Sequence, residues 1–191
     1  MHDAFYGLLI SALWIAWVIY WRIAARDFKP VVRRESLRSR ISHIAPLVAS
    51  VLLLAAPPHA ILALSHLIWP RNLIVYWIGF VLLAAGLLYT VWARRHLAGN
   101  WSATVTLKQN HELTRSGPYR FTRHPIYTGL LVGFVGSAVA LDEWRGVIAV
   151  AFAAYAFVRK LRIEERFLAE HFGAQYDAYR KEVRALIPGI Y

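Results

Sequence analysis

The chain alternates long apolar stretches with short basic ones. Five windows contain no charged residue, at 4–21, 44–70, 72–93, 125–141 and 146–158. An α-helix needs about 20 residues to cross the hydrocarbon core of a bilayer. The first four windows reach or approach that length, and the fifth does so if Arg145, Arg159 and Lys160 extend to the interfaces. The pattern predicts an all-α polytopic membrane protein with five transmembrane helices.

Proline and glycine positions refine the expected helix ends. Pro57-Pro58 should kink or break the second window. The fourth and fifth helices are separated only by a tight turn at 142–145, so they should form an antiparallel hairpin. The fifth helix should continue beyond the bilayer to His171, with Gly173 as its stop signal. A short amphipathic helix at 174–183 should follow, with Tyr176 and Tyr179 on one side.

Basic residues indicate the orientation. Of the 22 Lys and Arg residues, 20 lie in the loop after the first window, the loop before the fourth window, or the tail from Arg159 onward. The positive-inside rule makes that side cytoplasmic and puts the N-terminus outside. No basic stretch precedes the first apolar run, so we expect a retained helix there and not a signal peptide. The net charge of +11 therefore reflects topology first and attraction to anionic lipid second, and it does not favour nucleic-acid binding.

Composition limits the remaining possibilities. The chain has 191 residues, of which 58% are hydrophobic, which suits one structural domain. Within it we expect residues 1–93 to supply three helices for lipid contact and a substrate cavity, and residues 94–191 to form a cofactor-binding catalytic region. Cysteine is absent, so disulfides and thiolate ligands are excluded. No His/Glu set has metal-ligand spacing, and no metal is expected.

Candidate chemistry concentrates at the start of the fourth helix. Pro125 suits a first helical position, so Arg123, His124 and Tyr127 surround the positive end of that helix. Counting ~1.5 Å per residue from the turn puts Tyr127 and the acidic pair Glu164-Glu165 at similar depth on the two arms of the hairpin. Arginine and the helix start could bind a carboxylate, an acid could bind an ammonium or ribose hydroxyls, and aromatic rings could bind a sulfonium. S-adenosylmethionine carries all these groups.

Plainer interpretations remain open at this point. Arg120, Arg123 and His124 are also compatible with interfacial anchors, and the acidic pair is compatible with a solvated helix face. The glycines of the fourth helix, Gly129, Gly133 and Gly136, are typical of close helix packing.

The same residues carry a family resemblance over about half of the chain, from Gly99 to the end. Its elements are Gly99-Asn100-Trp101-Ser102-Ala103, His111-x-Leu113-x-x-x-Gly117-x-Tyr119, Arg123-His124-Pro125-x-Tyr127-x-Gly129, Glu164-Glu165, Phe172-Gly173-x-x-Tyr176-x-x-Tyr179 and Pro188. In this order and spacing they resemble the isoprenylcysteine carboxyl methyltransferase family. The R-H-P-x-Y-x-G element and the acidic pair also occur in phospholipid N-methyltransferases.

The resemblance implies a five-helix membrane enzyme that binds S-adenosylmethionine on its cytoplasmic side and methylates a lipophilic carboxylate by in-line transfer. It implies catalytic roles for Arg123, His124 and Glu164. The implied cofactor-binding residues are Thr106, His111, Leu113, Tyr119, His124, Pro125, Ile126, Tyr127, Glu164 and Glu165. Lys160 and Arg159 would bind substrate, although Lys160 stands where the family has an arginine and lacks its bidentate fork.

Several alternatives remain for the acceptor and the reaction. A prenylated cysteine carboxylate is already ionised and needs no general base. A phospholipid or a small lipophilic amine or thiol would need one, with His124, Glu164 or Glu165 as candidates. A nicotinamide-dependent, sterol-reductase-like enzyme and a non-catalytic scaffold are further possibilities. The expected location is the inner or plasma membrane of a prokaryote or the endoplasmic reticulum of a eukaryote, with the site facing the cytoplasm.

Overall fold

Helices dominate the structure. The computed structural model describes residues 2–24, 31–57, 60–97, 106–108 and 113–190. In these ranges the α-helices are α1 (His2–Ala24), α2 (Leu37–Ala55), α3 (Leu73–Leu97), α4 (Pro125–Leu141), α5 (Trp144–Phe172) and α6 (Ala174–Glu182). Single 3₁₀ turns occur at Leu62–Leu64 and Gly117–Arg120. The predicted helical fold is confirmed.

Two short strands add to the helices. Strand β1 (Val31–Arg34) follows α1, and strand β2 (Thr106–Lys108) follows α3. They pair antiparallel, with Val31 opposite Lys108. The hydrophobic pattern does not predict this pair, although β-branched Val31 and Thr106 favour extended backbone. The pairing joins the two chain segments that follow α1 and α3.

Three helices in the described ranges are long and apolar enough to cross a membrane. They cover Phe5–Ala24, Leu37–Ala55 and Leu73–Leu97, and α4 is a shorter apolar helix. Large apolar side chains such as Leu8, Ile15 and Ile74 are exposed on them. Exposed apolar surface of this extent is typical of helices that face lipid.

The second apolar window does not form a single helix. Helix α2 begins earlier, at Leu37, because the side chain of Ser36 accepts a hydrogen bond from the backbone N–H of Ser39 and caps the helix. It ends at Ala55, just before Pro57. The break predicted from the proline pair is confirmed, and the described residues of the rest of the window, 56–57 and 60–70, contain one 3₁₀ turn and no α-helix.

Helices α3 and α4 pack with their backbones in contact. A Cβ atom added to Gly86 would lie 2.5 Å from the carbonyl oxygen of Gly129, and one added to Gly79 would lie 2.6 Å from that of Gly136. Only glycine permits such an approach. The close packing predicted from the glycines of α4 is confirmed.

Helices α4 and α5 form the predicted hairpin, but its turn differs from expectation at Arg145. This side chain is only 3% exposed, and its Nε donates to Glu143 Oε2 at 2.6 Å. The guanidinium also donates to the carbonyls of Leu53 and Ala56 at the end of α2. The expectation that Arg145 extends to an interface is therefore wrong, because the last carbonyls of α2 lack intrahelical partners and hold it inside the protein.

The tail returns to the start of α4. Helix α5 runs to Phe172 and ends at Gly173, whose φ of 51° lies in the left-handed region, as the sequence predicted. Both tyrosines of α6, Tyr176 and Tyr179, are buried. The chain after α6 then lies beside the residues that precede α4, which positions the candidate site.

Candidate active site at the start of helix α4

The residues at the start of α4 are held by hydrogen bonds to the C-terminal tail. Pro125 begins the helix and His124 lies at its cap position. The backbone N–H of Arg123 donates to the carbonyl of Arg184 at 2.8 Å, and that of His124 donates to Ala185 at 3.0 Å. These contacts join the tail to the segment before α4. Both backbone N–H groups just before the helix are thereby hydrogen-bonded.

One acid of the predicted pair faces Tyr127. The Tyr127 hydroxyl donates to Glu164 Oε1 at 2.5 Å, and Nδ1 of His124 lies 3.5 Å from Glu164 Oε2. The Tyr127 ring stacks between His124 and Phe157, with centroid distances of 5.5 and 5.3 Å and interplanar angles of 7° and 14°. The predicted equal depth of Tyr127 and Glu164 is confirmed.

The other acid faces Arg123. Both Nε and Nη2 of Arg123 donate to Glu165 Oε1, at 2.8 and 2.6 Å. The guanidinium also donates to the carbonyls of Val183 and Arg180, so it joins α5 to the tail. The Arg123 and Glu165 side chains are 9% and 13% exposed. Arg123 thus contacts Glu165 on α5 and carbonyls of the tail. We call this region the Glu165 side of the site.

His124 lies between the two acids, and their negative charges act on its imidazole ring. Burial alone would lower the pKa of His124, but the hydrogen bonds and charges of Glu164 and Glu165 outweigh burial and raise that pKa. Burial would raise the pKa of Glu165, but His124 and Arg123 bring it down to about 2. The two acids therefore favour the protonated form of His124.

The predicted substrate-binding residues, Lys160 and Arg159, lie on the side of the site that contains Tyr127 and Glu164. We call this region the Glu164 side. The Lys160 ammonium lies 5.3 Å from the centroid of the Tyr127 ring, one helical turn before Glu164. Arg159, the neighbouring residue, is half-buried. A cation over an aromatic face is attracted by the quadrupole of the ring. Lys160 is thus part of the same cluster as Tyr127 and Glu164.

A buried acid just before α2 and a histidine in its second turn lie on this side, and the sequence motifs did not indicate them. Glu35 Oε1 and His43 Nε2 lie 3.5 Å apart, with side chains 2% and 4% exposed. The Ser39 hydroxyl donates to Glu35 Oε2 at 3.0 Å. His43 interacts electrostatically with Lys160, Glu164 and Arg159, and Glu35 with Tyr127. The available signal was the spacing of Glu35, Ser39 and His43 at intervals of four in a loop that is otherwise basic.

The remaining predicted residues are distributed over several elements. Tyr119 is buried, and its carbonyl accepts a hydrogen bond from the Tyr179 hydroxyl at 2.5 Å. Leu113 packs against Tyr176 and Tyr179, on the α6 side. Pro125 and Ile126 are buried in the core. Thr106 lies in β2, and His111 lies outside the described residues.

A basic cavity of about 750 Å³ opens on the Glu165 side. Its lining includes Arg123, Glu165, Arg162, Asp177, Arg180, Lys181 and Arg184. Neither Tyr127 nor Lys160 lines it, so the cavity is separate from the Glu164 side of the cluster. Within the ranges that the structure describes, no three or more His, Cys, Asp or Glu side chains are grouped so as to hold a metal ion.

Comparison with known proteins identifies the family. A family model described as phospholipid methyltransferase matches residues 74–175, more than half of the chain, including all of α4 and α5. The chain belongs to the phospholipid methyltransferase family. The match contains Arg123, His124, Tyr127 and the acidic pair, so the cluster lies within the family region.

Curated relatives make the family assignment more specific. The chain is 29% identical over 120 residues to a protein-S-isoprenylcysteine O-methyltransferase of Dictyostelium discoideum, covering 61% of this chain and 51% of that protein. It is 37% identical over 89 residues to protein-S-isoprenylcysteine O-methyltransferase A of Arabidopsis thaliana, covering 45% and 44%. It is 32% identical over 117 residues to the cobalt-zinc-cadmium resistance protein CzcN of Cupriavidus metallidurans, covering 60% and 52%. The resemblance drawn from the motifs is confirmed, and the chain spans about half the length of these relatives.

Proposed function

We propose that this family member is an integral membrane methyltransferase that uses S-adenosylmethionine and acts on a lipophilic acceptor. The observation that carries the proposal is the junction of Tyr127, His124 and Glu164, where the first turn of α4 meets α5. It joins an aromatic ring, a cation and an acid in a buried position. Buried ionisable groups grouped in this way are typical of functional sites.

The residues present fit this methyl donor. When bound, S-adenosylmethionine supplies an electrophilic methyl group on a sulfonium. His124 and the N-terminal end of α4 favour its carboxylate, and Glu164 favours its ammonium or ribose hydroxyls. The face of the Tyr127 ring, already beside the Lys160 ammonium, favours a cationic sulfur. Burial of these groups excludes water, which strengthens each interaction.

The proposed membrane arrangement has five transmembrane helices, with the N-terminus outside and the site on the cytoplasmic side. Helices α1, α2 and α3 have the required length, and the α4–α5 hairpin supplies the remaining two crossings. The β1–β2 pair joins two of the loops that carry the basic residues. In this arrangement residues 1–93 contact lipid and shape the acceptor cavity, and residues 94–191 hold the cofactor.

The first candidate for the acceptor is the carboxylate of a prenylated cysteine, because the relatives' names contain this group. Lys160 and Arg159 supply positive charge for a carboxylate, and such an acceptor needs no base. The second candidate is a lipophilic amine or thiol. It is favoured by Lys160 in place of the family arginine and by the acid–histidine pair of α2 beside it.

A transfer assay tests the proposal. Purified protein in detergent or lipid nanodiscs is incubated with methyl-labelled S-adenosylmethionine and a panel of acceptors that share one lipophilic tail and differ in the reacting group. Labelled product is expected with at least one acceptor, and acceptors without the tail should react poorly. Absence of label in every product, or binding of reduced nicotinamide in preference to S-adenosylmethionine, would contradict the proposal.

A further inference from the structure

The proposed function leaves one buried ionisable pair without a role. Glu35 directly precedes the Ser36 cap of α2, and His43 lies within that helix, which is a different element from those that carry the family motif. Their neighbours are the groups of the candidate site, namely Lys160, Glu164 and Arg159 on α5 and Tyr127 on α4. Burying an acid and a histidine costs free energy even when they are paired, and buried ionisable groups of this kind are typical of functional sites.

The geometry of the pair leaves one ring nitrogen of His43 available. Nε2 lies 3.5 Å from the carboxylate of Glu35, which favours a proton on Nε2. Nδ1 is buried and has no hydrogen-bond partner. In a neutral imidazole with this tautomer, Nδ1 is an acceptor. A substrate group that donates a hydrogen bond to Nδ1 would therefore satisfy this nitrogen.

The base candidates drawn from the sequence are all engaged elsewhere. Glu165 accepts hydrogen bonds from Arg123, and Glu164 accepts one from Tyr127. His124 lies between both acids, which raise its pKa and favour its protonated form. None of the three is suited to accept a proton from an acceptor at neutral pH. His43 is the remaining buried histidine near Glu164 in the described part of the chain.

We propose that His43, oriented by Glu35, is the general base of this site, and that the acceptor is a lipophilic thiol. This inference rests on the proposed methyltransferase function and narrows its substrate class. A thiol has an ordinary pKa of about 8.5 and an ammonium about 10.4, against about 6.5 for histidine. The equilibrium constant for proton transfer to a histidine of ordinary pKa is therefore about 10⁻² from a thiol and about 10⁻⁴ from an ammonium.

The step balances without a further reactant. The acceptor sulfur loses its proton to Nδ1 of His43 and uses a lone pair to form the new bond to the methyl carbon. The bond between that carbon and the donor sulfonium breaks, and its electron pair stays on the donor sulfur, which becomes a neutral thioether. Lys160 stabilises the thiolate that forms, while Glu35 orients His43 and stabilises its cationic form.

A binding experiment without any methyl donor tests the proton transfer directly. A lipophilic alkanethiol is titrated into the full-length protein, and thiolate absorbance is recorded between pH 6 and pH 10. Wild-type protein should show bound thiolate at a lower pH than free thiol does, because the imidazolium formed on His43 stabilises the anion. His43→Gln should abolish that shift, and Glu35→Gln should reduce it. The matched control is His66→Gln, which alters a histidine in the loop before α3, beside Trp144.

Turnover measurements separate this inference from the proposed function. With donor present, His43→Gln should reduce kcat for the thiol about 10²-fold at pH 7 and much less at pH 9, where the thiol ionises unaided. Affinity for S-adenosylmethionine should stay unchanged, which also shows that the variant is folded. If wild-type protein binds the donor and methylates only the carboxylate acceptor, or if His43→Gln and His66→Gln behave alike, the inference is wrong and the proposed function stands. If no donor binds, the proposed function itself fails.

Discussion

The Tyr127 hydroxyl donates a hydrogen bond to Glu164 Oε1 at 2.5 Å, and this contact joins the first turn of α4 to the final part of α5. Tyr127 also stacks between His124 and Phe157, so its ring position does not depend on the hydroxyl alone. The hydroxyl can therefore be removed without removing the ring.

Tyr127→Phe isolates the contribution of this hydrogen bond. We expect S-adenosylmethionine affinity to fall about tenfold, because a hydrogen bond to a charged group is worth about 1.5–3 kcal/mol and Glu164 would lose its orientation. Isothermal titration measures the change. Tyr155→Phe, which removes the same atom from an exposed tyrosine on α5, is the control. Equal affinities in the two variants would show that the hydroxyl does not orient the site.

Arg123→Ala should destabilise the protein by about 3–5 kcal/mol, because it leaves Glu165 buried without its main partner. Thermal unfolding in detergent measures the loss. Adding Glu165→Gln to the same chain should recover part of it, since the unpaired charge is then removed. Arg166→Ala, on the exposed face of α5, should change little. A loss of donor affinity without destabilisation would instead favour direct contact between Arg123 and the donor.

The contact between the tail and α5 should depend on pH in both directions. The pKa of Glu165 is lowered from 4.5 to about 2, so its contribution is complete above pH 4.5 and disappears as the pH falls toward 2. The pKa of His124 is raised above 6.5, so its contribution is complete below pH 6.5 and disappears at higher pH. Stability from this cluster should therefore be greatest between about pH 4.5 and 6.5. Unfolding temperature against pH measures this. His124→Gln should remove the decline on the alkaline side and weaken the acid-side contribution, because His124 also lowers the pKa of Glu165.

Gly86→Ala should destabilise the α3–α4 pair by about 1–3 kcal/mol, since its Cβ would meet the Gly129 carbonyl oxygen. Gly7→Ala is the matched control, because a Cβ there has no neighbour within 4 Å. The control should be neutral or slightly stabilising through helix propensity. Thermal unfolding of the two variants, side by side, measures the difference. Similar behaviour of both would show that the close approach of the two helices is not required.

Local rules predicted much of the site. The rise of an α-helix was enough to place Tyr127 and Glu164 at one depth, and Gly173 was enough to end α5. The Glu35–His43 pair could not be predicted in this way, because it depends on how α2 lies against α5. Long-range contacts such as the hydrogen bond from the Ser50 hydroxyl to the Ala149 carbonyl, 2.7 Å, set that alignment.

Arg145 and Leu113 show the same limit. The sequence indicates that a charged residue near a bilayer extends to the interface, but the free carbonyls at the end of α2 hold Arg145 inside. Leu113, which the motif puts with the cofactor residues, packs against Tyr176 and Tyr179, and this contact could not be predicted from the sequence. In both cases the deciding partner is distant in sequence.

Direct titration of S-adenosylmethionine into purified wild-type, His124→Ala, Glu164→Ala and Glu170→Ala proteins tests the central claim most directly. Glu170 is an exposed acid further along α5 and serves as the control for Glu164. Wild type and Glu170→Ala should each bind one equivalent with equal affinity, and the other two should bind at least tenfold more weakly. If the wild-type protein binds no donor, or if all four proteins bind it alike, α4 and α5 do not jointly form the donor site.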